Sequence, residues 1–373
     1  MRGGRARLAL AFALGILLTA TRPVQAYSVL AHESNIDALW DAQIRPLLLA
    51  KYPRTSANAL QGARAFAYGG SVVMDLGYYP FGSHFFTNLV HYVKSGDFVE
   101  TLLRDASDVN EYAFALGVLS HYASDNSGHT LAVNKAIPLI YPKLRRKFGD
   151  SVPYEKAPRE HILVEFAFDV LLVANGAYKL QAYHDFIGFR VSKDLLERAF
   201  LKTYGIEMKG LFLDEDLAIG TFRHAVGTTI PNVTKTAWEK KQEQIQKHTP
   251  GALREQFVLS LPRAAYEREY GTNYRRPRGI ARVMGFLYRL LPKIGPFRPL
   301  AFKVPTPEAE RLFLDSLTRT RERFGVELRE LRRGSLQLPN INLDTGQPER
   351  RGEYALADRT FQEWQQRKVK ERR

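Results

Sequence analysis

Apolar residues fall at three- and four-residue steps along much of the chain, and few stretches alternate as strands do. Between positions 35 and 51, Ile36, Leu39, Trp40, Ile44 and Leu47 share one helical face, with Pro46 as an expected kink. An Ala-rich stretch predicts a second helix over 57–74, and shorter helices are predicted over 87–93 and 97–105. Asp108 stands where it can cap a long apolar helix running to about 123, with Glu111 placed to complete a capping box. Pro158 opens a helix through 174, and Thr306-Pro307-Glu308 starts another with proline at the favoured first position. Loops are expected at 78–83, 150–157 and 292–305, and no internal repeat is present. The expected fold is all-α.

The first 26 residues depart from this pattern. Arg2, Arg5 and Arg7 precede an apolar run over 8–20, then Pro23 and a small-residue ending at Ala26. That run is too short for about 30 Å of hydrocarbon, which needs roughly 20 residues. Positions 1–26 therefore read as a signal peptide, and cleavage would leave Tyr27 as the new N-terminus. The expected destination is outside the cytoplasm, as a periplasmic, cell-surface or secreted protein.

Composition narrows the chemistry. The 373 residues include no cysteine, which excludes disulfides, thiolate zinc sites, iron–sulfur clusters and a cysteine nucleophile. Any metal must be held by nitrogen and oxygen. The net charge of +15 favours phosphate-bearing partners, whether lipid headgroups or nucleic acid. Part of that charge is concentrated at 271–304, where eight Lys/Arg and no acid are interleaved with residues such as Tyr274, Phe286, Tyr288 and Phe302. Such a stretch suits an anionic membrane surface or nucleic acid, and equally a solvated basic face over a buried core.

Several of the nine histidines lie at ligand spacing. His121 and Asp125 are four apart on the long predicted helix, and His129 follows four further on, where that helix is expected to end. His161 and Glu165 repeat the spacing on a second helix. Pairs four apart on rigid helices present imidazole nitrogen and carboxylate oxygen together, the usual donors of cysteine-free zinc sites. Upstream stand Asp75, His84 and His91, and His32 lies close behind Tyr27, whose freed amino group would itself be a metal donor near neutral pH.

These residues resemble the superfamily of bacterial zinc-dependent phospholipases C and single-strand-specific zinc nucleases. The match is carried by Tyr27-Ser28-Val29-Leu30-Ala31-His32, Asp75, Leu89-Val90-His91-Tyr92-Val93, Leu119-Ser120-His121-Tyr122-Ala123-Ser124-Asp125, His129, and His161-Ile162-Leu163-Val164-Glu165. The resemblance implies three zinc ions between helices. One would take Asp75, His91, His121 and an oxygen of Asp125; a second would take His129, His161 and Glu165. The third would take the amine and carbonyl of Tyr27, His32 and the other oxygen of Asp125. His84 competes with His91 for one position, and His91 fits better by its distance from Asp75 and its apolar surroundings. Tyrosine replaces the superfamily's usual N-terminal tryptophan, and the gap from Asp125 to His129 is short for it.

The resemblance further implies hydrolysis of a phosphodiester by a metal-bound hydroxide, with Asp75 as the candidate general base. A phospholipid at a membrane surface is the expected substrate. Single-stranded nucleic acid is the alternative, with Tyr78, Tyr79 and Phe81 as possible stacking residues. A third reading is a non-catalytic membrane-surface protein stapled by zinc. The expected organisation is a catalytic domain over 27–250 and a basic helical extension over 251–373.

Overall fold

The structure, a computed structural model, describes residues 29–176, 178, 189–226, 230–258 and 301–371. Helix α1 (Val29–Leu39) passes through a π turn (Trp40–Ile44) into α2 (Arg45–Lys51), with Pro46 in the first turn of α2. The irregularity expected at Pro46 thus sits just ahead of it, and the helix starts earlier than residue 35. The backbone N–H groups of Leu30 and Ala31 donate to the two carboxylate oxygens of Asp169, each at 3.1 Å, which ties α1 to the helix that carries Asp169.

Helix α3 (Ala57–Val73) ends in a 3₁₀ turn (Met74–Tyr78) that carries Asp75. Helices α4 (His84–Tyr92) and α5 (Ser95–Asp105) follow. Asp108 caps α6 (Val109–Gly128) by accepting from the N–H groups of Asn110 and Glu111, both at 2.8 Å. Glu111 does not complete the box; its carboxylate turns to the N–H and hydroxyl of Ser107. Rather than ending near 123, α6 continues through a π turn (His129–Val133) into α7 (Asn134–Ile140). Next come α8 (Pro142–Phe148), α9 (Pro158–Ala174), α10 (Lys193–Tyr204), α11 (Glu215–His224) and α12 (Ile230–His248). Thr306 caps α13 (Pro307–Arg333), and α14 (Ala355–Glu371) closes the described chain. No strand occurs among the described residues, where one antiparallel bridge joins Ile341 and Pro348. The fold is all-α.

Helix α6 is the central rod, with every residue from 112 to 128 buried. It touches α3 through facing glycines. A Cβ on Gly117 would lie 2.1 Å from the carbonyl oxygen of Ala67, and one on Gly70 would lie 2.1 Å from that of Phe114. Gly117→Ala tests this contact. Helix propensity would favour alanine by about 1 kcal/mol, but a backbone clash costs about 1–3 kcal/mol or more. The clash wins, so thermal denaturation followed by circular dichroism should show a lowered midpoint.

Residues on both sides of position 250 share one hydrophobic core. Phe313 of α13 stacks on Phe168 of α9 at 4.4 Å, and the Trp364 indole N–H of α14 donates to the Tyr204 carbonyl at 2.8 Å. Between α13 and α14, Leu338, Ile341 and Leu343 are buried against the ends of α4 and α5, where Ser95 pairs with Ile341 and the Leu343 N–H donates to the His91 carbonyl.

The leader at 1–26 and Tyr27 lie outside the described residues, as does the basic stretch up to residue 300. At its described end, Phe302 is buried edge-on to Phe166 at 5.4 Å, with Lys241 Nζ 4.4 Å from its ring centre. No described helix is long and apolar enough to cross a membrane.

Candidate metal centre

Because α6 does not stop at Ala123, His121, Asp125 and His129 stand one helical turn apart in a single line. The backbone widens into its π turn at His129, a kind of irregularity that recurs at functional positions. The short gap from Asp125 to His129 therefore needs no loop.

Asp125 is the middle of the arrangement. Its Oδ2 lies 3.1 Å from His121 Nε2 and 3.2 Å from His91 Nε2. Its Oδ1 faces the other way, 3.4 Å from His32 Nε2 and 3.8 Å from His129 Nε2. Asp75 places Oδ1 3.4 Å from His91 Nε2. The His32 ring, brought in by α1, stacks flat on His121 at 4.4 Å. From α9, Glu165 Oε1 lies 3.0 Å from His161 Nδ1 and 3.8 Å from His129 Nε2. None of these residues is more than 4% exposed.

The donors fall into three sets, in each of which the ligand atoms lie within 4.8 Å of one another. They are Asp75, His91 and His121; His32, His121 and Asp125; and His129, His161 and Glu165. All eight described candidates are thus brought together. His84 stands apart, exposed at the start of α4 with its ring 5.9 Å from Tyr78, whereas His91 lies with Asp75 and His121. His224 is exposed, His248 pairs with Glu310 at 2.6 Å, and His184 lies outside the described residues.

Partners behind the rings decide which nitrogen faces inward. His91 and His121 donate from Nδ1 to the carbonyls of Thr87 and Ser71, each at 2.8 Å, leaving Nε2 toward the centre. His161 is turned the other way: Nε2 donates to Asn134 Oδ1 at 2.7 Å, and Nδ1 faces Glu165. His129 Nδ1 donates to Asp344 Oδ1 at 3.1 Å. Asn134 and Asp344 were not legible as site residues. Asp344 lies far downstream, in a turn that Asn342 shapes by accepting from the N–H groups of Asp344 and Thr345.

Burial and crowding set the electrostatics. Burial alone would depress His91, but the carboxylates of Asp125 and Asp75 outweigh it and push the imidazole up to about 10. Burial likewise opposes charge on Asp125, yet the surrounding histidines hold it well below the usual carboxylate range. Glu165 is pushed well above that range by burial and by the nearby carboxylates, and burial takes His161 down to about 3. Asp75 Oδ1, both Asp125 oxygens and Glu165 Oε2 are buried without a well-formed hydrogen bond. Buried carboxylate oxygens left this way, facing imidazole nitrogens, are what divalent cations complete. The donor set fits zinc.

Residues 38–213 match the family model for zinc dependent phospholipase C. Over those residues the chain is similar to that family. No curated protein and no solved structure matches it. The match supports zinc-dependent phosphodiesterase chemistry in general terms. The matched span contains Asp75, His91, His121, Asp125, His129, His161 and Glu165. His32 and Asp344 reach the centre from outside it.

Proposed function

We propose that the chain is an exported phospholipase C that cleaves the headgroup phosphodiester of phospholipids at a membrane surface. The observation that carries this reading is the division of Asp125, whose two oxygens face separate sets of imidazoles inside one buried site. Three zinc ions are the proposed complement. Asp75, His91, His121 and Asp125 would hold one, and His129, His161 and Glu165 a second. His32, Asp125 and the amine and carbonyl of Tyr27 would hold the third. Zinc so held would supply Lewis acidity toward phosphate oxygens and lower the pKa of a water it binds.

The chain's own groups do the rest. Asp75 Oδ1 is the proposed acceptor of the proton lost by the attacking water. Thr87 and Ser71 keep the Nε2 atoms of His91 and His121 aimed inward throughout. Tyr154 lies edge-on to His161 at 5.6 Å and near Tyr78 at 6.3 Å, so buried aromatic rings line the His161 side of the site. Tyr79 packs instead on Phe222 at 5.0 Å, in the core. The anchoring of Leu30 and Ala31 by Asp169 supports the role of Tyr27, since it holds the chain just downstream of a terminus created after Ala26.

The test offers zinc-loaded protein phosphatidylcholine vesicles and, separately, single-stranded DNA. Release of phosphocholine, abolished by a chelator and restored by zinc, is expected. Cleavage of DNA without cleavage of vesicles would replace this reading with that of a nuclease. Zinc uptake without cleavage of either substrate would leave a zinc-stapled surface protein.

A further inference from the structure

The segment between α13 and α14 is attached to ligand-bearing elements at several points. The Leu343 N–H donates to the His91 carbonyl at 3.1 Å, and the Tyr122 hydroxyl of α6 donates to the Pro339 carbonyl at 2.8 Å. Asn134, which already orients His161 with its side-chain oxygen, donates from its nitrogen to the Asp344 carbonyl at 2.8 Å. These bonds bring a carboxylate into the centre from a region that the family match does not reach.

Asp344 is 1% exposed. Its Oδ2 is satisfied by two donors, the Tyr354 hydroxyl and the Tyr154 backbone N–H, both at 2.8 Å. That leaves Oδ1 for imidazole, 3.1 Å from His129 Nδ1 and 3.6 Å from His161 Nε2. A carboxylate bound to the outer nitrogen of a ligating histidine fixes the tautomer, aims the inner nitrogen and makes it a better donor. His91 and His121 rely on neutral carbonyls for that purpose. His129 differs in that its outer nitrogen donates a hydrogen bond to a carboxylate, whereas the outer nitrogen of His161 donates to the Asn134 amide oxygen and lies farther from Asp344.

We propose that Asp344 is the positioning carboxylate of the His129–His161–Glu165 zinc site, so that the C-terminal segment is a working part of the metal centre. Asp344 acts through His129 and touches neither substrate nor reacting atoms. The proposal rests on the zinc reading above, and its test separates the two.

Metal-free full-length protein and its Asp344→Asn variant are titrated with zinc against a chromophoric chelator, which resolves the ions by affinity. Wild type should take up its full complement. In Asp344→Asn one ion should weaken about 10- to 100-fold, the usual effect of removing such a partner, while the others keep their affinity and the helical spectrum is unchanged. Asp344→Glu should recover part of the loss, because it restores an acceptor charge. Unchanged affinity for every ion in Asp344→Asn overturns the proposal, and so does an equal loss at all of them, which would mark a merely structural role. Should Asp344→Asn fail to fold, Tyr354→Phe decides. It removes one donor from Oδ2 and should weaken the same single ion more mildly, and no change there overturns the proposal. Wild-type protein that binds no zinc overturns the zinc reading itself, and this inference with it.

Discussion

Asp125→Asn should lose two zinc ions at once and at least about 10³ in kcat/KM for phosphodiester hydrolysis, about 4 kcal/mol of transition-state stabilisation. The substitution keeps the shape of the side chain, so the packing of α6 has no reason to change. An amide, however, offers one oxygen and no charge, whereas Asp125 presents Oδ2 to His91 and His121 and Oδ1 to His32 and His129. Whichever side receives the amide nitrogen loses its donor and gains a hydrogen-bond donor aimed at a cation. Elemental analysis beside steady-state kinetics checks both parts. A variant that kept all its zinc and its full rate would remove Asp125 from the middle of the centre.

Zinc uptake should also depend steeply on pH. In the metal-free protein the carboxylates of Asp125 and Asp75 hold a proton on His91, whose pKa is pushed up to about 10. A ligand must shed its proton before it binds. Loss of one proton makes affinity rise about tenfold for each pH unit below that value. Between pH 6.5 and 8.5 the ion at Asp75, His91 and His121 should therefore tighten about 100-fold. The stability of the metal-free protein runs the opposite way. The raised pKa of His91 contributes stability that is complete below about 6.5, the unshifted value, and lost as pH climbs through about 10. Calorimetric zinc titrations in two buffers of different ionisation enthalpy count the protons released. Affinity independent of pH would contradict the proton assigned to His91.

The sequence shows its elements most clearly where residues do nothing but pack. The apolar face of α6 and its Asp108 cap are legible, as are the proline-led starts of α9 and α13. The reading fails where buried residues are polar. Ser124, Asp125, Asn126, Ser127 and Gly128 look like the end of a helix, because such residues are weak helix formers and compete for backbone hydrogen bonds. They are buried helix nonetheless, with Ser124 bonded to Asn35 and Asp125 at the centre. The same holds for α1, where buried His32, Glu33, Ser34 and Asn35 hide the apolar period and delay the apparent start. Polar positions that break a hydrophobic pattern without breaking the helix are a mark of function.

The candidate site was legible through its spacing, since four-residue steps survive in the chain whatever the rest of the fold does. Asp344 had no such signal. It meets His129 across 215 residues, and an isolated aspartate in a turn looks like any other. His84 and His91 illustrate the opposite limit: both are histidines near Asp75, and the direction of α4 separates them, sending one to solvent and the other inward.

The contact between His129 and Asp344 also has a temporal meaning. Pairings so distant along a chain are slow to form, because a long loop must close before they give any return. Residue 344 follows His161 by more than half of the described chain's length, so the nascent chain holds its ligand imidazoles well before the carboxylate bonded to His129 exists. If Asp344 positions His129 as proposed, full zinc affinity is expected only once the segment around residue 344 has docked against α6 and α7.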